Sequence, residues 1–250
     1  MMTMPTRIIL ALMLGMLVLP AFAQDDIDQL RLKADQGNAE AQFNLGVMYR
    51  DGRGVPQDDQ EAVRWYRLAA DQGHARAQHN LGVMYHKGQG VPQDYKEAVR
   101  WVRLAANQGV PEAQYNLGFA YANGEGVPQD DQEAVRWFRL AADQGHAGAQ
   151  YNLGVMYSNG LGVPQDFKEA VRWYRAAADQ GNARAQFNLG NNYADGRGVP
   201  QDYVRDHKWL NLAASRTGEE REKRVKARDS VAEKMTASQI PEAQRLAREW

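Results

Sequence analysis

Apolar and small side chains recur along the chain as two alternating helical stripes. In residues 37–72, Ala41, Leu45, Met48 and Tyr49 fall at i, i+4, i+7 and i+8, which collects them on one face of an α-helix, helix A. Ala62, Trp65, Tyr66, Ala69 and Ala70 form a second stripe on helix B, with small residues in its last turn where two helices can approach closely. Gly52 predicts a left-handed closure of helix A, and Gly54, Val55 and Pro56 a loop that cannot continue helically. Asp58 is placed to cap helix B, with Glu61 three residues on in the manner of a capping box, and Gly73 ends the unit.

The same hairpin returns every 36 residues: Asn-Leu-Gly stands at Asn44, Asn80, Asn116, Asn152 and Asn188, and tryptophan at Trp65, Trp101, Trp137, Trp173 and Trp209. A fixed period of this length predicts an all-α superhelical solenoid, because one hairpin cannot bury its apolar faces alone. The repeats are read as 37–72, 73–108, 109–144, 145–180 and 181–216. Pro111, in the slot of Ala39, supports the boundary, since the first helical turn tolerates proline. Residues 24–36 match helix B, with Ile27 in the place of Val63, and predict a capping half-repeat. At the other end 217–250 predict two capping helices, the first with Val225, Ala232 and Met235 at helical spacing.

Composition narrows the setting. At 44% hydrophobic and 24% charged the chain can bury a core, and its net charge of −1 offers no broad positive field for nucleic acid. Arg7, an apolar run over 8–19 and Ala21-Phe22-Ala23 before Gln24 predict a cleaved signal peptide over 1–23. The run is shorter than the roughly 20 residues needed to span a bilayer, so no membrane span is expected after cleavage, and a periplasmic or secreted protein is. With no cysteine, stability must come from packing, and thiolate chemistry is excluded.

The alanine and Leu-Gly of helix A, the Gly-x-Gly-Val-Pro-x-Asp loop, and the Ala-x-x-Trp with paired alanines of helix B together resemble the Sel-one-like repeat family, relatives of the tetratricopeptide repeats. The resemblance runs from Gln36 to about Ser215. It implies a right-handed superhelix whose A helices line a concave face, and a role as an adaptor in protein complexes. The last unit departs from the pattern: Arg205, Asp206 and His207 replace Glu-Ala-Val, and Asn191-Asn192 replace apolar residues.

Helix A positions opposite the buried stripe are the candidate ligand face. One position reads Phe43, His79, Tyr115, Tyr151 and Phe187, and the next reads Val47, Val83, Phe119, Val155 and Asn191, with charges such as Glu40, Arg76, Glu112 and Arg184 between. Such a row of aromatics and charges suits a peptide or helix groove, and equally suits packing of each ring on the neighbouring repeat. Asn44, Asn80, Asn116, Asn152 and Asn188 border that face, where an amide can clamp an extended peptide or satisfy a local backbone group. The five repeated tryptophans are read as structural.

Catalytic chemistry is not visible. His79 and His86 share a helix face without a third ligand, and His74 and His146 read as surface turn residues. No serine sits in a nucleophile elbow, and the Gly-x-Gly loops lack the lysine of a phosphate-binding loop. The expectation is a non-catalytic scaffold without cofactor or metal that binds a protein or peptide; the alternative is a periplasmic protein that binds or hydrolyses cell-wall material.

Overall fold

The computed structural model describes residues 21–250 except 219; the predicted leader, apart from its last three residues, lies outside them. Thirteen helices and no strand are found among the described residues. Helix α1 (Ala21–Asp35) is the N-terminal half-repeat. Five A–B hairpins follow: α2 (Ala39–Asp51) with α3 (Asp59–Asp71), α4 (Ala75–Lys87) with α5 (Tyr95–Asn107), α6 (Pro111–Asn123) with α7 (Asp131–Asp143), α8 (Ala147–Asn159) with α9 (Phe167–Asp179), and α10 (Ala183–Asp195) with α11 (Tyr203–Ser215). Helices α12 (Arg221–Ala232) and α13 (Gln239–Arg248) close the end. Each helix from α1 to α11 packs on the next along the chain, and α13 packs back on α11. No helix among the described residues is long and apolar enough to cross a membrane.

The hairpin follows from a few residues. Asp58 caps α3 as expected, its carboxylate accepting from the amides of Gln60 and Glu61. The reciprocal half of a capping box is not made. The Asp58 amide donates to the Tyr49 carbonyl across the loop, at 2.9 Å, and Glu61 pairs with Arg64 instead. Asp94, Asp130, Asp166 and Asp202 repeat that loop closure. The second glycine of the loop is required by its neighbour: a Cβ on Gly90, Gly126, Gly162 or Gly198 would strike a backbone carbonyl at the start of the preceding B helix. Each of these glycines also has positive φ.

The tryptophans are buried, as expected, and each of the first four lies under an arginine, with guanidinium-to-ring distances from 4.2 Å at Arg100 to 5.2 Å at Arg136. These arginines also pair with the glutamates one turn back, Glu61, Glu97, Glu133 and Glu169. Arginines on the B helices donate to a tyrosine hydroxyl of the following A helix, as in Arg103 to Tyr121 at 2.9 Å.

The A-helix stripe is wider than the apolar pattern. Ala41 and Leu45 are buried, but so are Gln42 and Gly46, while Met48 and Tyr49 are half-buried. Gln42 and its counterparts are clasps between three helices. Gln78 donates to the Ala70 carbonyl of the preceding B helix and accepts from Gln108 at the end of its own, at 2.7 Å; Gln108 donates as well to the Gly73 carbonyl. Apolar periodicity carries no signal for such a residue, because a buried amide is tolerated only through partners that become neighbours on folding. At the C-terminal cap the expected stripe is also shifted: Val225, Ala232 and Met235 are half-buried, and α12 instead buries Arg224 and Val231.

Candidate functional site

The repeats differ most at the residue that faces the glycine of helix A. In repeats 1, 3 and 4 an aromatic ring from helix B fills that space: a Cβ on Gly46 would stand 2.6 Å from Tyr66, one on Gly118 2.7 Å from Phe138, and one on Gly154 2.6 Å from Tyr174. In repeat 2 the same position is Val102. Its methyl reaches Gly82, but the outer part of a ring is missing, and a cavity of about 400 Å³ opens there between α4, α5 and α6. That volume is in the range of small-ligand sites.

The cavity floor is Val99, Val102 and Ala98, its walls include Tyr95, Phe119 and Tyr115, and its polar groups are few. Phe119 and Tyr95 are 41% and 40% exposed, whereas the valines in the Phe119 slot of neighbouring repeats are half-buried. His86 reaches across the mouth to Glu125, Nε2 to Oε2 at 2.9 Å, and its ring meets Tyr95 edge-on at 5.2 Å. Lys87 lines the rim.

Asn116 supplies the inner polar group. Its Nδ2 lies 3.0 Å from Nε2 of His79. Burial lowers the His79 pKa, so the ring is neutral at pH 7 and Nε2 accepts from the amide. Asn116 itself lines the cavity, and with its amide nitrogen engaged its Oδ1 can still accept a hydrogen bond. No group of three or more His, Cys, Asp or Glu that could hold a metal ion occurs among the described residues.

A family model described as Sel1 repeat matches residues 39–74, 75–110, 111–146, 147–182 and 183–217. The chain belongs to the Sel1 repeat family. Proteins of this family generally mediate protein–protein interaction. Among solved structures, the chain is similar to a protective antigen present in uropathogenic Escherichia coli strains that displays an SLR fold, at 38% identity and a TM-score of 0.79. That alignment covers 91% of this chain and 49% of the antigen, so the chain spans about half the antigen's length. A Sel1 repeat protein from Oxalobacter formigenes aligns at 35% identity and a TM-score of 0.74, over 80% of this chain and 82% of that one. None of the curated proteins compared matches the chain.

The structure gathers the candidate ligand residues in two places. Val83, Tyr115, Asn116 and Phe119 line the cavity, and His79 touches it through Asn116. Tyr151, Arg184, Phe187 and Asn188 line a smaller depression of about 110 Å³ with Glu220, Lys223 and Arg224 at the C-terminal end. Phe43, Asn44, Val47, Arg76, Asn80 and Asn152 line neither.

The row beginning at Phe43 serves packing at least in part: all five members are half-buried, Phe43 stacks on His74 at 4.7 Å and Tyr115 on His146 at 4.5 Å. His74 and His146 are therefore not simple surface turn residues. Each caps the helix it precedes, its Nδ1 accepting from the amide of Ala77 or Ala149, and each supplies a ring for the preceding repeat. His86 was marked by the sequence as sharing a helix face with His79, whereas Tyr95, Glu125 and Val102 were not singled out. The available signal was Val102 itself, an aliphatic residue in a slot that reads Tyr66, Phe138 and Tyr174 in repeats 1, 3 and 4 and Leu210 in the divergent last repeat.

Proposed function

We propose that the chain is a non-catalytic scaffold, exported to the periplasm or beyond, that binds a protein or peptide through its A-helix face. The observation that carries this reading is the junction of repeats 2 and 3, where Phe119 and Tyr95 stand exposed beside an open apolar cavity ringed by a few polar groups. Exposed aromatics at the edge of a desolvated pocket are the usual anchors of protein interfaces. The family supplies a general role in protein–protein interaction, and the E. coli antigen displays the same fold.

A photo-crosslinking residue placed at Phe119, and separately at Leu68 on a B helix, tests the reading in the producing cell, because both positions are 41% exposed. Discrete adducts from Phe119 and none from Leu68 are expected. Adducts from Leu68 alone would move the interface to the B-helix side, and none from either would sink the scaffold reading. Sequencing the mature N-terminus tests export, with Gln24 as the expected first residue.

A further inference from the structure

Three features of the molecule invite a role: the cavity at Val102, the buried polar cluster around Asp206, and a row of exposed leucines, Leu32, Leu68, Leu104 and Leu140, on the B helices. The leucine row has nothing that indicates what would cover it, and the Asp206 cluster has no opening among the described residues that would admit a ligand. The cavity differs, because the protein itself contains the group that fills the equivalent space.

In repeats 1 and 4 that group is a tyrosine, and in both the asparagine of the following A helix stands near the phenol. Asn188, together with Ser158, lies at the Tyr174 hydroxyl, and burial pushes that phenol up to about 12 against their influence. Asn80 lies close enough to the Tyr66 hydroxyl to act on it, without meeting hydrogen-bond geometry. The rings are buried, at 0% and 2% exposure, so the space is one that a phenol ring occupies fully. In repeat 2 the ring is absent and its asparagine, Asn116, is present on the cavity lining, with the amide nitrogen 3.0 Å from His79 Nε2.

We propose that the cavity between repeats 2 and 3 is a binding site for the side chain of a tyrosine on a partner peptide. The phenol ring lies over Val102 and Ala98 in the position of the Tyr66 and Tyr174 rings, and its O–H donates to Asn116 Oδ1. The cavity is larger than one ring, which leaves room for the adjoining peptide under Phe119 and Tyr95. The rim carries charges of both signs, Lys87 and the Glu125 carboxylate that pairs with His86, so it selects no single charge beside the tyrosine. This inference rests on the scaffold reading for its biological sense, but the cavity can be tested without a partner.

The test titrates the full mature chain with p-cresol, the tyrosine side chain alone, and with toluene, the phenylalanine counterpart, following backbone and asparagine side-chain amide shifts by NMR. Saturable shifts confined to α4, α5 and α6 are expected for p-cresol, with a dissociation constant on the order of 1 mM for so small a ligand. Val102→Tyr rebuilds the arrangement of repeats 1 and 4 and should abolish the shifts; Val102→Phe, the arrangement of repeat 3, replaces it if the tyrosine variant does not fold. Asn116→Ala should weaken p-cresol by about tenfold while leaving toluene unchanged. No saturable p-cresol shifts, or shifts that persist in both folded Val102 variants, overturn the site. Equal binding of toluene and p-cresol, or an equal effect of Asn116→Ala on both, overturns its phenol specificity. Cresol binding with no adduct at position 119 or 68 would leave the site standing and the scaffold reading refuted. Adducts at 119 that survive Val102→Tyr would do the reverse.

Discussion

Gln42, Gln78, Gln114 and Gln150 each receive a hydrogen bond from a glutamine at the end of the same repeat, at 2.7–2.8 Å. In repeat 5 the corresponding residue is Arg216, and the Gln186 amide oxygen is buried with no partner. The contrast extends through the hairpin. Where repeats 1–4 bury Ala62, Ala98, Ala134 and Ala170, repeat 5 buries Asp206 with both carboxylate oxygens unpaired; where they bury Val63, Val99, Val135 and Val171, it buries His207 with Nδ1 unpaired. Asn192 and Arg224 add two more unsatisfied atoms at the same end. A buried polar group stabilises only with its partner in place; among the described residues the interior repeats leave the Nε1 of Trp65, Trp101 and Trp173 and the Tyr66 hydroxyl without one, and the C-terminal end gathers six more such atoms, so one plan of packing yields a costlier edge.

The interior half of this contrast is broken most severely at its largest buried side chains. Trp137→Ala removes a ring that is 7% exposed and should cost about 3–5 kcal/mol, seen as a lower midpoint in urea denaturation. A loss within about 0.5 kcal/mol, the range of surface changes, would show that the tryptophans are not what holds the repeats together.

At the edge the opposite sign is expected. Asp206→Ala restores the residue of the other repeats and should stabilise the chain by about 1–3 kcal/mol at pH 8. Burial raises the Asp206 carboxyl to about 7 from 3.8, with Lys234 acting against it. A carboxyl whose folded pKa is raised favours folding while protonated. Its contribution is therefore least harmful below the unfolded pKa, worsens as pH rises between the two values, and is fully adverse above about 7. His207, lowered by burial, runs in the other direction below its ordinary pKa. The difference between wild type and Asp206→Ala removes that background. It should be small at pH 4 and grow towards pH 8, and a difference that is flat with pH would refute the account.

The smallest effect sharpens the comparison at the clasp. Arg216→Gln supplies the missing donor for Gln186 and should add about 1 kcal/mol, while Gln180→Arg, which copies the edge into repeat 4, should subtract a similar amount. If neither variant moves the denaturation midpoint, the clasps are incidental to stability.

Most of the architecture was legible because helix-forming periodicity, caps and loop glycines are local. The Asp58 series and Pro111 fixed helix starts, Gly52 an end, and the tryptophans a buried face. What escaped depends on partners far along the chain. Gln78 looks polar until Ala70 and Gln108 are beside it, and His74 looks like a turn residue until the Phe43 ring lies under it. The cavity was half legible. Tyr115, Asn116 and Phe119 were marked by their helix face, but the space between them is created by what Val102 lacks, and an absent ring leaves no periodic signal.

Replacement of an aromatic by an aliphatic residue at the slot of Tyr66, Phe138 or Tyr174 would open further vacancies of the same kind, each beside its own asparagine. Valency and length are thus separate variables in this molecule. Adding whole hairpins lengthens its reach in fixed steps, whereas single codon changes at one slot set how many such cavities it carries and at what spacing.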